Sequence, residues 1–376
     1  MKILFTGGGS GGHFYPIVAV AQEIRKIMKE HKLLDADMYY MGPTSYNPSI
    51  LFDNNIIYKR VSAGKIRLYF SLLNLTDSIK TIWGIIQAFV KVFQIYPDIV
   101  FSKGGYASFP VLLAARFFRI PIIIHESDSI PGRVNIWAGK FANKIAVSYP
   151  SAISYFPKEK VAYTGNPVRA EIIRPSKNGA YEFLKLEQDV PVILVLGGSQ
   201  GAKIINDIIV DALPRLLPNY QIIHQTGKNN LEEVNGRARI VLDNNQYSER
   251  YKTFGYLNDL AMKMAAGVAT LVISRGGSTI FEIALWGLPS IIIPITESNG
   301  DHQRKNAYNY ARSGACIVVE ESNLNVNIFT AEIERLMESS VDRDKMAKSA
   351  KEFARADSAK IIATEILGMA LTHEGK

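Results

Sequence analysis

The chain has 376 residues, 47% hydrophobic and 21% charged, a composition that fits a folded protein too long for one ordinary core. A single cysteine, Cys316, excludes an intramolecular disulfide, and no apolar run approaches the roughly 18 residues of a membrane span. The net charge of +8 is unevenly placed: up to Thr164 there are 19 Lys+Arg against 10 Asp+Glu, and beyond it 24 against 25, so the basic excess points to an anionic partner for the first half.

Met1–Phe5 is too short for a signal-peptide core, and the expectation is a protein kept in the cytoplasm. Ile3–Thr6 reads as a strand, Gly7–His13 as a glycine loop and Pro16–Lys29 as a helix. Further strands are expected at Met38–Met41, Ile99–Ser102, Ile120–His125 and Lys144–Ser148, with helical patterns between them. Tyr163-Thr164-Gly165-Asn166-Pro167 carries turn chemistry and is the expected linker. The pattern then restarts with a strand at Val192–Leu196, a glycine loop at Gly197–Gly201 and a helix at Ala202–Leu213. Strand signals return at Ile222–Gln225, Leu271–Ser274 and Ser290–Pro294, and about Ser340 to Leu371 reads as helical. Alternating strands and helices predict an α/β chain of two Rossmann-like domains with parallel sheets, spanning residues 1–164 and 165–344. A C-terminal helix of about 345–376 is expected to pack back on the first.

Three glycine clusters each follow a strand and open a helix, where backbone amides and the helix dipole suit a phosphate. The first, Gly7-Gly8-Gly9-Ser10-Gly11-Gly12-His13, contains G-x-G-x-x-G. A dinucleotide site would require an acidic residue at the end of the next strand. That strand ends Met41-Gly42-Pro43-Thr44, and Asp35 and Asp37 precede it. A tight turn without a ligand is the plainer alternative. His13, at the lip of the loop, suits a general base or a helix N-terminal histidine bonded to the loop. In the second cluster, Gly197–Ala202, Ser199 can donate to a phosphate. In the third, Ser274–Glu282, Glu282 falls about one turn into the helix and can bind two ribose hydroxyls or serve the helix dipole. His125-Glu126-Ser127-Asp128 ends a strand, where open α/β sheets place ligands. No metal-ligand spacing and no nucleophile signature around Cys316 are found, so no metal site is expected.

Seven segments in order, Gly7–Pro16, Gly104–Pro110, Ile120–Gly132, Thr164–Arg169, Gly197–Ala202, Ser274–Pro289 and Gln303–Ala307, make the chain resemble the MurG family of peptidoglycan N-acetylglucosaminyltransferases over nearly its whole length. The resemblance implies a GT-B fold, two Rossmann-like domains facing a central cleft. It implies UDP-N-acetylglucosamine as donor and a polyprenyl-diphosphate-linked N-acetylmuramoyl-pentapeptide as acceptor, with inversion at the anomeric centre. No cofactor is obligatory, and a divalent cation is allowed but not required. His13 matches the favoured base. Ser10, Gly11, Gly12, Asn166, Arg169, Ser199, Leu257, Gly277, Ser278, Thr279, Glu282 and Gln303 match donor-binding positions. Asp128 stands where the family usually has an Asn, and an ionised Asp only accepts hydrogen bonds. Arg275–Glu282 is one residue shorter than the usual loop, which leaves open which of Gly277, Ser278 and Thr279 meet the diphosphate.

The resemblance also places such enzymes peripherally on the cytoplasmic face of the cell membrane. Lys65, Arg67, Leu68, Tyr69 and Leu72 mix cations with apolar residues, followed by an apolar helical pattern at Ile79–Phe93, and Arg133 and Lys140 add charge. That mixture suits an anionic membrane surface, although the leucines also suit a core. The alternatives are a related transferase with another donor or lipid acceptor, a UDP-N-acetylglucosamine 2-epimerase, or a nucleotide-binding or membrane-scaffold protein. No nucleic-acid motif is found.

Overall fold

The computed structural model describes residues 1–65, 73–198, 201–296 and 299–374. The chain divides into two compact units, Met1–Arg169 with Arg355–Lys376, and Ala170–Ala354.

The first unit holds seven strands: β1 (Lys2–Thr6), β2 (Asp37–Gly42), β3 (Ile56–Arg60), β4 (Ile99–Ser102), β5 (Ile122–Glu126), β6 (Lys144–Val147) and β7 (Val161–Tyr163). Their order is β3-β2-β1-β4-β5-β6-β7, and each neighbouring pair is parallel. Parallel neighbours need crossovers, and helices supply them on both faces. The period of two is visible in β1. Ile3 and Phe5 join one core with Ile17, Ile24 and Phe101, whereas Leu4 joins the opposite core with Val92, Val100 and Leu112. Such fully buried side chains each contribute roughly 1.5–3 kcal/mol, and Leu4→Ala is expected to cost about 2–5 kcal/mol.

The second unit repeats the plan with β8 (Val192–Leu196), β9 (Gln221–Gln225), β10 (Tyr251–Phe254), β11 (Ala269–Ser274), β12 (Ser290–Ile292) and β13 (Cys316–Val318). The order is β10-β9-β8-β11-β12-β13, again all parallel. Ile193 and Val195 face one core, and Val192, Leu194 and Leu196 the other.

Two elements differ from the sequence expectation. The first helix begins at Gly11, five residues before Pro16, and runs to Glu30. Pro16 is buried in the second turn of that helix, where it cannot donate to the Gly12 carbonyl. The C-terminal segment is two helices rather than one. Ser340–Phe353 packs in the second unit, and Ser358–Glu374 places Ile362, Ala363, Ile366 and Leu367 in the β1 core of the first. Short strands β3, β7, β10 and β13 carried no clear periodicity in the sequence and are defined by pairing.

Candidate active site

In the first unit the strand order reverses between β1 and β4, the place where open α/β sheets bind ligands. The loops leaving these two strands meet backbone to backbone. Gly105 has φ of +79°, and a Cβ there would stand 3.0 Å from the Gly8 Cα. A Cβ on Gly8 would stand 2.8 Å from His13 Nδ1, so only glycine lets the imidazole lie against the loop.

The half-buried His13 has its Nδ1 2.9 Å from the exposed Ser10 Oγ. Ser10 occupies the N-cap position, where a hydroxyl usually accepts from a first-turn amide. Here it makes no such cap and turns to His13 instead. The half-buried Gly11 and Gly12 open the helix.

Below the loops lies a buried polar cluster. Lys103, 1% exposed, directly follows β4, and its Nζ lies 2.5 Å from His125 Nδ1, 2.5 Å from Ser127 Oγ and 3.2 Å from Asn166 Oδ1. His125 Nε2 is 2.9 Å from the Gly165 carbonyl oxygen. A carbonyl only accepts, so Nε2 carries the proton and Nδ1 accepts from Lys103. Burial, with the Lys103 charge beside it, holds the His125 pKa well below its usual value. The buried Glu126 accepts from the Asp128 amide, the Gly132 amide and Asn135 Nδ2, each at 2.9 Å. Burial and then the Asp128 charge push the Glu126 pKa up. Burial pushes the Lys103 pKa down, against the attraction of Glu126 and Asp128. Arg169 is buried, with its guanidinium 3.9 Å from the centre of the Tyr15 ring. Sequence reasoning did not single out Lys103. The available signal was a lysine between an apolar strand and Gly104-Gly105.

The exposed Lys65, Arg133 and Lys140 belong to the same unit. Arg67, Leu68, Tyr69 and Leu72 lie outside the described residues. The helix Leu73–Ile95 buries Ala88, Val92 and Ile95. Along its other side Ile79, Ile82, Trp83, Ile86, Val90 and Phe93 are 50–65% exposed.

The second unit has its reversal between β8 and β11. After β8, Gly198 and Gly201 adopt φ of +81° and +79°, and a Cβ on Gly201 would meet the Thr226 carbonyl at 2.2 Å. Ser199 lies outside the described residues. The helix Lys203–Leu216 starts from Ala202 with no side-chain cap. After β11, the helix Thr279–Trp286 starts from Ser278, also without a side-chain cap. By contrast, Asn258 and Asn325 cap other helices of this unit, accepting from Ala261 and Ile328 amides at 2.9 and 3.0 Å. At the third cluster the Ile280 and Phe281 amides bond the Gly277 and Ser278 carbonyls at 3.2 and 3.1 Å, and the helix dipole points its positive end at the loop.

Gly277 has open space where a Cβ would stand, and Glu282 is the fourth residue of its helix. The buried Leu257 donates its amide to Gln225 Oε1 at 3.0 Å. Gln303 Oε1 accepts from the Ile295 amide at 3.2 Å, and Gly276 packs where a Cβ would meet the Gln303 carbonyl at 2.3 Å. Arg275 donates to Glu321 Oε1 at 2.5 Å and to the Ile293 carbonyl at 3.1 Å. Glu321 Oε2 accepts from the Thr296 amide and hydroxyl. The loops after β11 and β12 are thereby tied together. Among the described residues no group of three or more His, Cys, Asp or Glu side chains is arranged to hold a metal. Nor is any described helix long and apolar enough to cross a membrane.

The model of the glycosyltransferase family 28 N-terminal domain matches residues 3–147, and that of its C-terminal domain residues 192–362. A Bacillus thuringiensis protein named UDP-N-acetylglucosamine--N-acetylmuramyl-(pentapeptide) pyrophosphoryl-undecaprenol N-acetylglucosamine transferase 3 is 38% identical over 339 residues, covering 89% of this chain and 91% of the relative. A Bacillus cereus transferase of the same name, numbered 2, is 36% identical over 369 residues, covering 97% and 99%. The crystal structure of Acinetobacter baumannii MurG matches with a TM-score of 0.71 at 24% identity, over 98% of this chain and 99% of that one. UDP-GlcNAc 2-epimerase from Neisseria meningitidis matches with a TM-score of 0.67 at 16% identity, over 98% and 100%. At these identities both structures speak for the fold alone, and that fold is GT-B, as expected from the sequence.

Proposed function

Because the chain belongs to glycosyltransferase family 28, we propose that it moves N-acetylglucosamine from UDP-N-acetylglucosamine to the 4-hydroxyl of N-acetylmuramoyl-(pentapeptide)-diphospho-undecaprenol, with inversion. The observation that carries this reading is 36–38% identity to transferases of that name across 89–97% of the chain.

The side chains support a division of labour. His13 takes the proton of the acceptor hydroxyl through Nε2, while Ser10 accepts from Nδ1–H and holds the ring in that tautomer. The acceptor oxygen bonds to the anomeric carbon as the bond to the diphosphate breaks on the opposite face, and UDP departs. Amides at Ser10–Gly12, together with Ser199, Gly277, Ser278 and Thr279, stabilise the diphosphate electrostatically. Because the Leu257 amide is engaged, its carbonyl is the group that meets the N3–H of uracil. Glu282 accepts from the ribose hydroxyls. Asp128 accepts from a sugar hydroxyl where an amide would also donate, and Gln303 donates through Nε2 because its Oε1 is engaged. Asn166 and Arg169 complete the donor contacts. No step needs a cation, and transfer is expected to persist in EDTA.

The enzyme works as a peripheral protein on the cytoplasmic face of the membrane. The exposed stripe from Ile79 to Phe93 enters the headgroup layer, while Lys65, Arg67, Arg133 and Lys140 meet anionic lipid and Leu68, Tyr69 and Leu72 add apolar contact.

The test is incubation of labelled UDP-N-acetylglucosamine with and without a short-chain acceptor analogue, following both UDP and labelled lipid. Equal amounts of UDP and labelled lipid, formed only with acceptor, are expected. Donor binding without lipid labelling would sink the reading, and release of free UDP-N-acetylmannosamine would replace it with epimerisation.

A further inference from the structure

We propose that Lys103 is a positioning residue for the transfer, a buried amine that sets the end of β5 and the Asn166 turn in one geometry. The inference rests on the functional reading above and adds a residue that no motif assigned.

Lys103 is 1% exposed, so its Nζ serves no ligand in solvent and interacts only within the protein. Its three polar neighbours come from two separate stretches of the chain: His125 at the end of β5 with Ser127 just beyond it, and Asn166 after β7. Two of the contacts have a fixed direction. His125 Nδ1 must accept, because Nε2 is committed to the Gly165 carbonyl, and Asn166 Oδ1 can only accept. Lys103 therefore orients the Asn166 amide, leaving its Nδ2 as the donating end. It also holds Ser127, the residue before Asp128.

The root of the same side chain packs against the first glycine loop, where a Cβ on Gly7 would lie 3.3 Å from the Lys103 Cβ. The Asp128 amide is meanwhile tied to Glu126, whose carboxylate also grips Gly132 and Asn135. Two buried side chains, one on each strand end, thus define the backbone from His125 to Gly132. Burial disfavours the ammonium, and the attraction of Glu126 and Asp128 opposes that. The proposed donor contacts Asp128 and Asn166 consequently share one support. Lys103 touches neither reactant, so its effect is on alignment. A misplacement of about 1 Å can lower the rate roughly 10²-fold.

The experiment compares Lys103→Met with wild type by three readouts: UDP affinity by calorimetry, kcat/KM for transfer to the acceptor analogue, and the imidazole nitrogen shifts of His125 in 15N-histidine-labelled protein. Lys103→Met keeps the length of the side chain and removes its donors. Expected are UDP affinity within twofold of wild type, kcat/KM lowered roughly 10²-fold, and a shift of the His125 Nδ1 signal with Nε2 still protonated. A folded Lys103→Met protein with normal kcat/KM overturns the proposal. So does a loss of UDP affinity equal to the loss of kcat/KM, which would mark general damage. If Lys103→Met does not accumulate folded, Ser127→Ala removes one contact without changing charge and is read the same way, with a smaller loss in kcat/KM expected and no loss overturning the proposal. Should wild type transfer no sugar at all, the functional reading fails, and the His125 signal still tests the Lys103 contact.

Discussion

The two units have the same order at the centre of their sheets but different chemistry at the strand ends. In the first, β1 leads to a glycine loop and an uncapped helix start, and β4 and β5 lead to buried ionisable groups, Lys103, His125 and Glu126, bonded to one another or to neighbouring amides. In the second, the equivalent ends lead to glycine loops and uncapped helix starts, tied by the largely buried Arg275–Glu321 pair. A shared topology fixes where a ligand meets the sheet. The side chains on the loops decide whether that place offers proton transfer and orientation or an electrostatic cradle.

The sharpest way to break this contrast is to remove the proposed base. His13→Ala is expected to lower turnover by roughly 10²–10⁴ and leave UDP affinity unchanged, measured by steady-state kinetics and calorimetry. Equal losses in both would erase the distinction between a chemical and a cradling unit. Next in size is Glu282→Gln, which keeps the shape and removes the charge of the proposed ribose acceptor. About a tenfold loss of UDP affinity is expected, with much less discrimination between UDP and 2′-deoxy-UDP. Unaltered discrimination would move the ribose elsewhere.

A third measurement concerns the surface of the first unit. Trp83→Ser, on the exposed stripe, is expected to weaken binding to anionic vesicles roughly tenfold. Turnover on a water-soluble acceptor should stay at the wild-type level. Unchanged vesicle binding would remove that stripe from the membrane contact.

A fourth measurement concerns acid stability. In the second unit, burial pushes the pKa of His224 down to about 3, and the ring is bonded to Tyr251 and Asn206. The unfolded chain takes up this proton below about pH 6.5, whereas the folded unit does not until near pH 3. Its contribution is therefore full above pH 6.5 and falls by at most about 1.4 kcal/mol per pH unit through that window. In the first unit the raised Glu126 pKa works in the opposite sense to the lowered His125 pKa. A His224→Asn variant should show a flatter dependence of unfolding free energy between pH 5 and pH 7 than wild type. Parallel curves would show that His224 does not titrate on unfolding.

Much of the chain was legible before any coordinates. The alternation of Ile3, Leu4 and Phe5 and the restart at Val192 follow from parallel strands buried on both faces, which leave long apolar runs in the sequence. The glycine clusters were equally visible, because a Cβ would meet the His13 ring at Gly8 and neighbouring backbone at Gly105 and Gly201. The edge and outer strands were not visible: three to five residues carry too little periodicity, and pairing defines them. Nor did local sequence divide the C-terminal segment, because both helices have helical patterns and only packing sends Ile362 and Ile366 to the β1 core.

The sequence by itself determined the repeated α/β plan, the family and the positions where backbone must come close to backbone. Each depends on neighbours in the chain or on a residue type with no substitute. Only the tertiary structure decided the company of Lys103, the tautomer of His125 and the diversion of Ser10 from its cap to His13. The Lys103 and His125 contacts join atoms up to 63 residues apart, and whether Ser10 caps its helix or turns to a ring three residues on depends on the fold of the loop. Hydrogen-bond direction, burial and charge at such points are properties of the folded neighbourhood, which no single stretch of sequence contains.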